Sequence, residues 1–148
     1  MRHDEALSQA SGKTPITFDF SGEWKNELES TMDVVQVQSV ITGVYTSKVS
    51  SANAPAVGQL AGYAHGDLIS FVVKWDSMAI TAWVGRHRVE NHESVVETLW
   101  QMTSLVDSSQ DDFWHSINAG ADRFTRTLIS SASHSLAGEA AETADAKV

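Results

Sequence analysis

The sequence predicts an all-β fold, a single eight-stranded antiparallel up-and-down β-barrel with flexible arms at both ends. Three observations carry that expectation. Eight segments between residues 22 and 129 hold β-branched and aromatic residues at close spacing. Short turns built from Gly, Asn, Asp and Ser separate most of them. A meander of that many strands escapes exposed edges most simply by closing on itself.

Residues 1–15 are mixed polar, with Gly12 and Pro15, and are expected to form a flexible arm. The barrel domain is expected over 16–131. Its predicted strands are Gly22–Leu28, Thr31–Gln38, Val40–Ser47, Val57–His65, Asp67–Trp75, Ala79–Val89, Ser94–Thr103 and Gly120–Ile129. Turns are predicted at Glu29-Ser30, Gln38-Ser39, His65-Gly66-Asp67, Asp76-Ser77 and Glu90-Asn91-His92. The stretch Lys48–Ala56, with Pro55 and small residues, is too loose for a tight hairpin and reads as a lid. Ser108–Ile117 is predicted to make a helical turn, starting from Ser108 or Ser109 as caps. Residues 132–148 are rich in Ala, Glu and Ser with a single leucine, so this tail is expected to be disordered; a short helix docking on another subunit is the alternative.

Composition narrows the function classes. The 148 residues suffice for one sizeable core and are too few for two ordinary domains. A net charge of −9 with ten Lys and Arg argues against nucleic acid and against an anionic membrane surface. No run approaches the roughly 18 apolar residues that span a bilayer, so a soluble protein is expected. Without cysteine there is neither a disulfide framework nor a thiolate site. The start, Met1-Arg2-His3-Asp4-Glu5, has no apolar core of a secretory signal, which leaves the compartment open.

Alternate residues of a strand share a face. That rule groups Ile69, Phe71, Val73 and Trp75; Ala79, Thr81 and Trp83; Val96, Thr98, Trp100 and Met102; Gly43, Tyr45 and Ser47; and Trp24 with Asn26. If the tryptophans point inward, so do Asn26, Tyr45, Ser47 and Thr81. A barrel of eight strands either fills its interior with side chains or holds one small ligand. Three tryptophans mixed with Asn, Tyr, Ser, Thr and Asp are too polar for filler, because buried polar groups need partners, and a ligand supplies them. Asp122, between Ala121 and Arg123 in a predicted strand, is expected to line that site. Trp114 sits in a polar loop eight residues earlier and is expected to close the site of a neighbouring subunit. Trp24, near the start of the barrel, is expected to close its base.

Other chemistry is weaker. The cluster His87, Glu90, His92 and Glu93 fits no zinc spacing and reads as a solvated hairpin tip. No phosphate loop and no nucleophile elbow is present, and Asp4/Glu5 and Asp111/Asp112 read as exposed charge. No cofactor is expected.

These residues resemble the avidin/streptavidin family of biotin-binding barrels. The shared elements run in order over residues 20–129: Gly22, Trp24, Asn26 and Ser30-Thr31; Ile41-Thr42-Gly43, Tyr45 and Ser47; Leu60 and Gly62; Phe71 and Trp75; Thr81, Trp83 and Gly85; Thr98, Trp100 and Met102-Thr103; Trp114 and Asp122. The resemblance implies high-affinity, non-covalent biotin binding in the lumen by a protein that is not an enzyme. It implies that Asn26, Ser30 and Tyr45 donate to the ureido oxygen, that Ser47 and Asp122 accept from the two ureido N–H groups, and that Thr81 approaches the thioether sulfur. Trp75, Trp83, Trp100 and Met102 would wall the ring system and the valeryl chain, and Trp114 would come from the neighbouring subunit.

The presence of Trp114 implies a homotetramer, with a dimer as the alternative, and the family implies secretion. Ala119 and Ala121 stand where the family carries bulkier contact residues. Ala79 replaces the family's serine two positions before Thr81, removing one hydroxyl from the carboxylate end. The lid also departs from the family; Val49 and Ser51 are assigned to the ligand there, with backbone N–H groups near Ser51 facing the carboxylate. The competing readings are a lipocalin-like carrier of another small ligand or peptide and, below it, a small-barrel hydrolase with Asp122 as general base.

Overall fold

The computed structural model describes residues 1–10, 12, 16–48, 54–105 and 116–126. Eight strands form a closed barrel: β1 (Gly22–Asn26), β2 (Thr31–Val37), β3 (Val40–Ser47), β4 (Ala56–His65), β5 (Leu68–Trp75), β6 (Ala79–Glu90), β7 (Glu93–Ser104) and β8 (Ile117–Arg126). Each pairs antiparallel with the next, and β8 pairs with β1 through Trp24↔Arg126, Lys25↔Thr125 and Asn26↔Phe124. Closure removes the two edges that an open sheet would expose.

The expected strands all occur; β3 keeps its expected bounds, the others differ by one to three residues at one or both ends, and residues 127–129 of the last lie outside the described residues. β8 begins at Ile117 rather than Gly120 because Ile117, Asn118 and Ala119 continue the ladder opposite Thr103, Met102 and Gln101. Of the helical turn expected over Ser108–Ile117, residues 108–115 lie outside the described residues, and Ile117 already belongs to the strand. The lid core (49–53), Trp114 and the tail (132–148) also lie outside them. Within the segment read as a flexible arm, His3–Gln9 coil into a short helix, α1, none of whose residues is buried. Among the described residues no helix is long and apolar enough to cross a membrane.

The turns follow local chemistry. Asn91 and His92 both take positive φ, 50° and 65°, between the paired Glu90 and Glu93, the conformation a two-residue hairpin needs to match strand twist. Gly66, at φ 60°, opens the loop between His65 and Leu68.

Strand parity places the core as the alternation requires. Trp24, Met32, Val34, Ile41, Leu60, Ile69, Phe71, Val73, Val96 and Phe124 are buried inside the barrel. Residues ahead of β1 plug one end. Phe18 and Phe20 pack against Trp24, whose Nε1 donates to the Phe20 carbonyl at 2.9 Å. Gln36 clamps this plug, accepting from Phe20 N–H at 2.9 Å and donating to the Phe18 carbonyl at 3.1 Å. The base role expected of Trp24 is what the fold gives it.

His87 corrects one expectation. The hairpin tip lies at Asn91-His92, but His87 is buried in β6 at the plugged end, stacked on Phe18 with centroids 3.6 Å apart. Its Nδ1 lies 3.0 Å from Asp67 Oδ1 and its Nε2 3.2 Å from Ser94 Oγ. The reason is register: His87 shares the inward parity of Trp83 and Gly85, which a reading of the cluster as a loop overlooked.

Candidate ligand site in the barrel lumen

The end opposite the plug carries the polar side chains. Asn26 ends β1, where the chain turns toward β2 with Glu29 at φ 62°. The Asn26 side-chain carbonyl accepts from the N–H groups of Leu28 at 3.0 Å and Ser30 at 2.9 Å. An asparagine that satisfies its own turn in this way has its amide orientation decided by the backbone. The NH2 group therefore turns inward and lies 3.4 Å from the Tyr45 hydroxyl. Ser30 Oγ accepts from Lys48 N–H at 3.2 Å and is also hydrogen-bonded to Tyr45.

Tyr45 is buried, with its ring stacked on Trp83 (5.1 Å) and edge-on to Trp75 (5.5 Å). Burial, reinforced by the negative charges of Asp122 and Glu27, pushes its phenol far above the ordinary tyrosine value, against the opposing Ser30 bond. The hydroxyl stays protonated and available as a donor. Asn26, Ser30 and Tyr45 thus form one convergent group of buried donors.

Asp122 faces them from β8, half-buried. Its carboxylate accepts from Trp83 Nε1 at 2.8 Å and is hydrogen-bonded to Trp100. Burial raises its pKa, the Trp83 bond opposes that rise, the charge of Glu27 adds to it, and the Trp100 bond opposes it again. Its carbonyl accepts from the buried Thr98 hydroxyl at 3.1 Å.

The walls are aromatic. Trp83 lies between Tyr45 and Phe71, the latter stacked at 5.0 Å, and Trp75 meets it edge-on at 6.5 Å. Trp75 Nε1 donates to Thr81 Oγ1 at 2.8 Å, which leaves the threonine proton to be donated elsewhere. Trp100 stands opposite Gly120, and a Cβ on that glycine would come within 2.5 Å of the indole. Met102 and Ser47 are half-buried at the rim. A cleft of about 610 Å³ opens beside Trp75 and Ala79, with Met78 and Leu105 on its outer side.

Of the expected site residues, Asn26, Ser30, Tyr45, Trp75, Thr81, Trp83, Trp100 and Asp122 form one hydrogen-bonded and aromatic constellation, with Ser47 and Met102 at its rim. Val49, Ser51 and Trp114 lie outside the described residues. Phe71, Thr98 and Gly120 were not assigned to the site from the sequence, although strand parity put Phe71 and Thr98 on inward faces and Gly120 stands two residues before the inward Asp122. Among the described residues no group of acidic and His side chains is arranged to hold a metal ion.

A closed, plugged barrel with convergent donors at one side of its open end, a carboxylate at the other and tryptophan walls defines a small-ligand-binding protein. Comparison with known proteins gives the family: residues 14–127 match the Avidin family, and the chain belongs to it. It is 28% identical to Xenavidin, whose crystal structure superposes with a TM-score of 0.65 over 76% of this chain and 100% of that one. A biotin-binding protein from chicken is 26% identical, with a TM-score of 0.62, over 73% of this chain and 95% of that one. Fibropellin-1 of Strongylocentrotus purpuratus is 31% identical over 118 residues, 73% of this chain but 11% of that protein's length.

Proposed function

We propose that the lumen binds biotin, tightly and without covalent chemistry, and that the chain is a binding protein rather than an enzyme. The observation that carries this reading is the orientation of Asn26. With its oxygen held by Leu28 and Ser30 N–H, it presents only a donor, beside the protonated Tyr45 hydroxyl and Ser30, to one end of the site. Asp122 presents an acceptor at the other end. A ureido group has the complementary order, an oxygen flanked by two N–H groups. Preset donors in a dry pocket favour its polarised C–O⁻ form while a carboxylate draws on the N–H. Ser47 takes the second N–H, and the Thr81 proton is directed at the thioether sulfur. Trp75, Trp83, Trp100 and Met102 enclose the apolar remainder. Family membership supports the same ligand and a soluble, secreted protein.

Val49 and Ser51 complete the carboxylate end, where Ala79 offers no hydroxyl. Assembly as a homotetramer, with Trp114 reaching the neighbouring site, accords with an exposed apolar row across β6, β7 and β8, in which Val84, Leu99 and Ala121 stand opposite one another.

Biotin titration followed by tryptophan fluorescence, with native mass measured on the same sample, tests ligand and assembly together. Quenching with one biotin per chain on a tetramer is expected; no quenching at micromolar biotin would refute the function. Trp114→Lys is expected to weaken biotin binding and tetramer formation together, and retention of both would remove the tetramer assignment alone.

A further inference from the structure

The barrel closes between β1 and β8, and this seam separates the donor Asn26 from the acceptor Asp122. Ladder pairing across it stops at Asn26↔Phe124 because β1 ends there in its turn. Continuing the same register, Glu27 would stand opposite Arg123 and Leu28 opposite Asp122. In place of a backbone bond, Glu27 Oε2 accepts from the Arg123 N–H at 3.0 Å, across 96 residues of sequence. The backbone just before that bond carries Asp122, whose main chain is tied on the β7 side by the ladder and Thr98 and whose carboxylate is held by Trp83 and Trp100. The Arg123 guanidinium is held in turn by Glu90 at 2.9 Å and Glu97 at 3.4 Å. Beside it lies an open cleft of about 550 Å³ lined by Glu27, Asp122 and Arg123 together with residues of β6 and β7, among them Val84, Arg86, Glu97 and Leu99.

We propose that Glu27 is a positioning residue for ligand recognition: its carboxylate clips β8 to the end of β1 across the closing seam, and so sets the spacing between the Asn26 donor and the Asp122 acceptor. The proposal rests on the assignment of those two residues to opposite ends of a urea. It follows from geometry: the Asp122 carboxylate is held by Trp83 and Trp100, but the backbone beside it has no ladder partner on the β1 side, where the Glu27 bond to Arg123 N–H stands in for one. Glu27 acts also through its charge. The ionisable groups around Asp122 are Glu27 from the β1 end, Tyr45 on β3, Arg86 on β6, Glu97 on β7 and Arg123 on β8. Of the acidic ones, Glu27 is the one whose charge holds the Asp122 proton on.

Two substitutions separate clip from charge in the full-length protein. Glu27→Gln keeps an acceptor for the Arg123 N–H and removes the charge. Glu27→Ala removes both. Biotin dissociation is expected to quicken about tenfold in Glu27→Ala, the loss of one hydrogen bond's positioning effect, and less than about threefold in Glu27→Gln. The Asp122 carboxyl titration, followed by carboxyl-carbon NMR without ligand, is expected to move to lower pH in both variants. A wild-type dissociation rate in Glu27→Ala would overturn the clip. Equal losses in both variants, matched by equal drops in melting temperature and an unmoved Asp122 titration, would reduce Glu27 to a stabilising surface residue. The NMR readout needs no ligand. Failure of the wild-type protein to bind biotin therefore counts against the functional reading, while an unmoved titration counts against the role of Glu27 itself.

Discussion

The two ends of the barrel are built from the same kinds of residue and do different things. At the plugged end Phe18, Phe20, Trp24 and His87 crowd together, and their polar atoms are turned on one another or on nearby backbone. Trp24 Nε1 is taken by the Phe20 carbonyl, and the His87 nitrogens by Asp67 and Ser94. Even Arg126 is absorbed there. Its guanidinium lies 4.8 Å from the Phe18 ring and 4.6 Å from the Trp24 ring and donates to the Asp19 carbonyl. Those ring faces compensate an Nε that is buried without a hydrogen-bond partner.

At the open end the aromatic content is similar, but Asn26, Tyr45, Thr81 and Asp122 each retain a donor or acceptor aimed into the lumen. Aromatic count therefore does not tell a core from a site. What distinguishes them is whether the polar atoms spend their hydrogen bonds on the protein or hold them for a ligand.

The largest effect that would sharpen this contrast is expected at the base. Trp24→Ala should cost about 3–5 kcal/mol of stability in denaturant unfolding, as large aromatic truncations in cores do, while the protein that remains folded keeps its biotin affinity. An affinity loss at full folding would mean that the two ends are not separable. Next comes Asp122→Asn, which replaces a charge-assisted acceptor and is expected to weaken biotin binding by about 1.5–3 kcal/mol, with little change in melting temperature.

The same residue sets a pH dependence. The pKa of Asp122 is raised in the fold, so its ionised, accepting form is present above that raised value and lost as pH falls through it. Wild-type affinity should decline on acidification in that window, and the decline attributable to residue 122 should be absent from Asp122→Asn. Stability of the ligand-free barrel has the opposite sign at this site. A raised carboxyl pKa makes ionisation costly, so protonation on acidification stabilises the fold locally. Biotin affinity and ligand-free melting temperature measured across acidic pH check both limbs.

The smallest effect is expected at the rim. Ala79→Ser restores a hydroxyl beside Trp75 and should raise affinity for free biotin by about tenfold, the low end of what one hydrogen bond to a charged group is worth, because the rim is open to solvent. It should leave a tail-amidated biotin nearly unchanged. Equal gains for acid and amide would place the carboxylate elsewhere.

Much of this was legible beforehand because strand parity is a local property. Once Tyr45, Trp83 and Trp100 are put on one face, the residues two positions away follow, and the walls of the lumen can be written down from the sequence. The same parity named Phe71 and Thr98 as inward without showing that they carry the site, and Gly120, two residues before Asp122, went unread. Their roles are to stack on Trp83, to hold the Asp122 carbonyl and to make room for the Trp100 indole, and each depends on which strand lies alongside. His87 was misplaced because its neighbours Glu90, His92 and Glu93 do belong to a hairpin tip, and charge composition drew the whole cluster outward.

By itself, then, the sequence determined the number and order of the strands, which residues face inward, and a family of binding barrels. Alternation and turn chemistry act over a few residues, so they survive without the rest of the fold. Only the tertiary structure decided how the barrel closes and which way its polar groups point. It set the Asn26 amide inward, joined Asp122 to Trp83, buried His87 on Phe18, and brought Glu27 to Arg123 across the seam. Those arrangements depend on hydrogen-bond directions and on contacts between residues up to 96 apart in the chain, which no local pattern records.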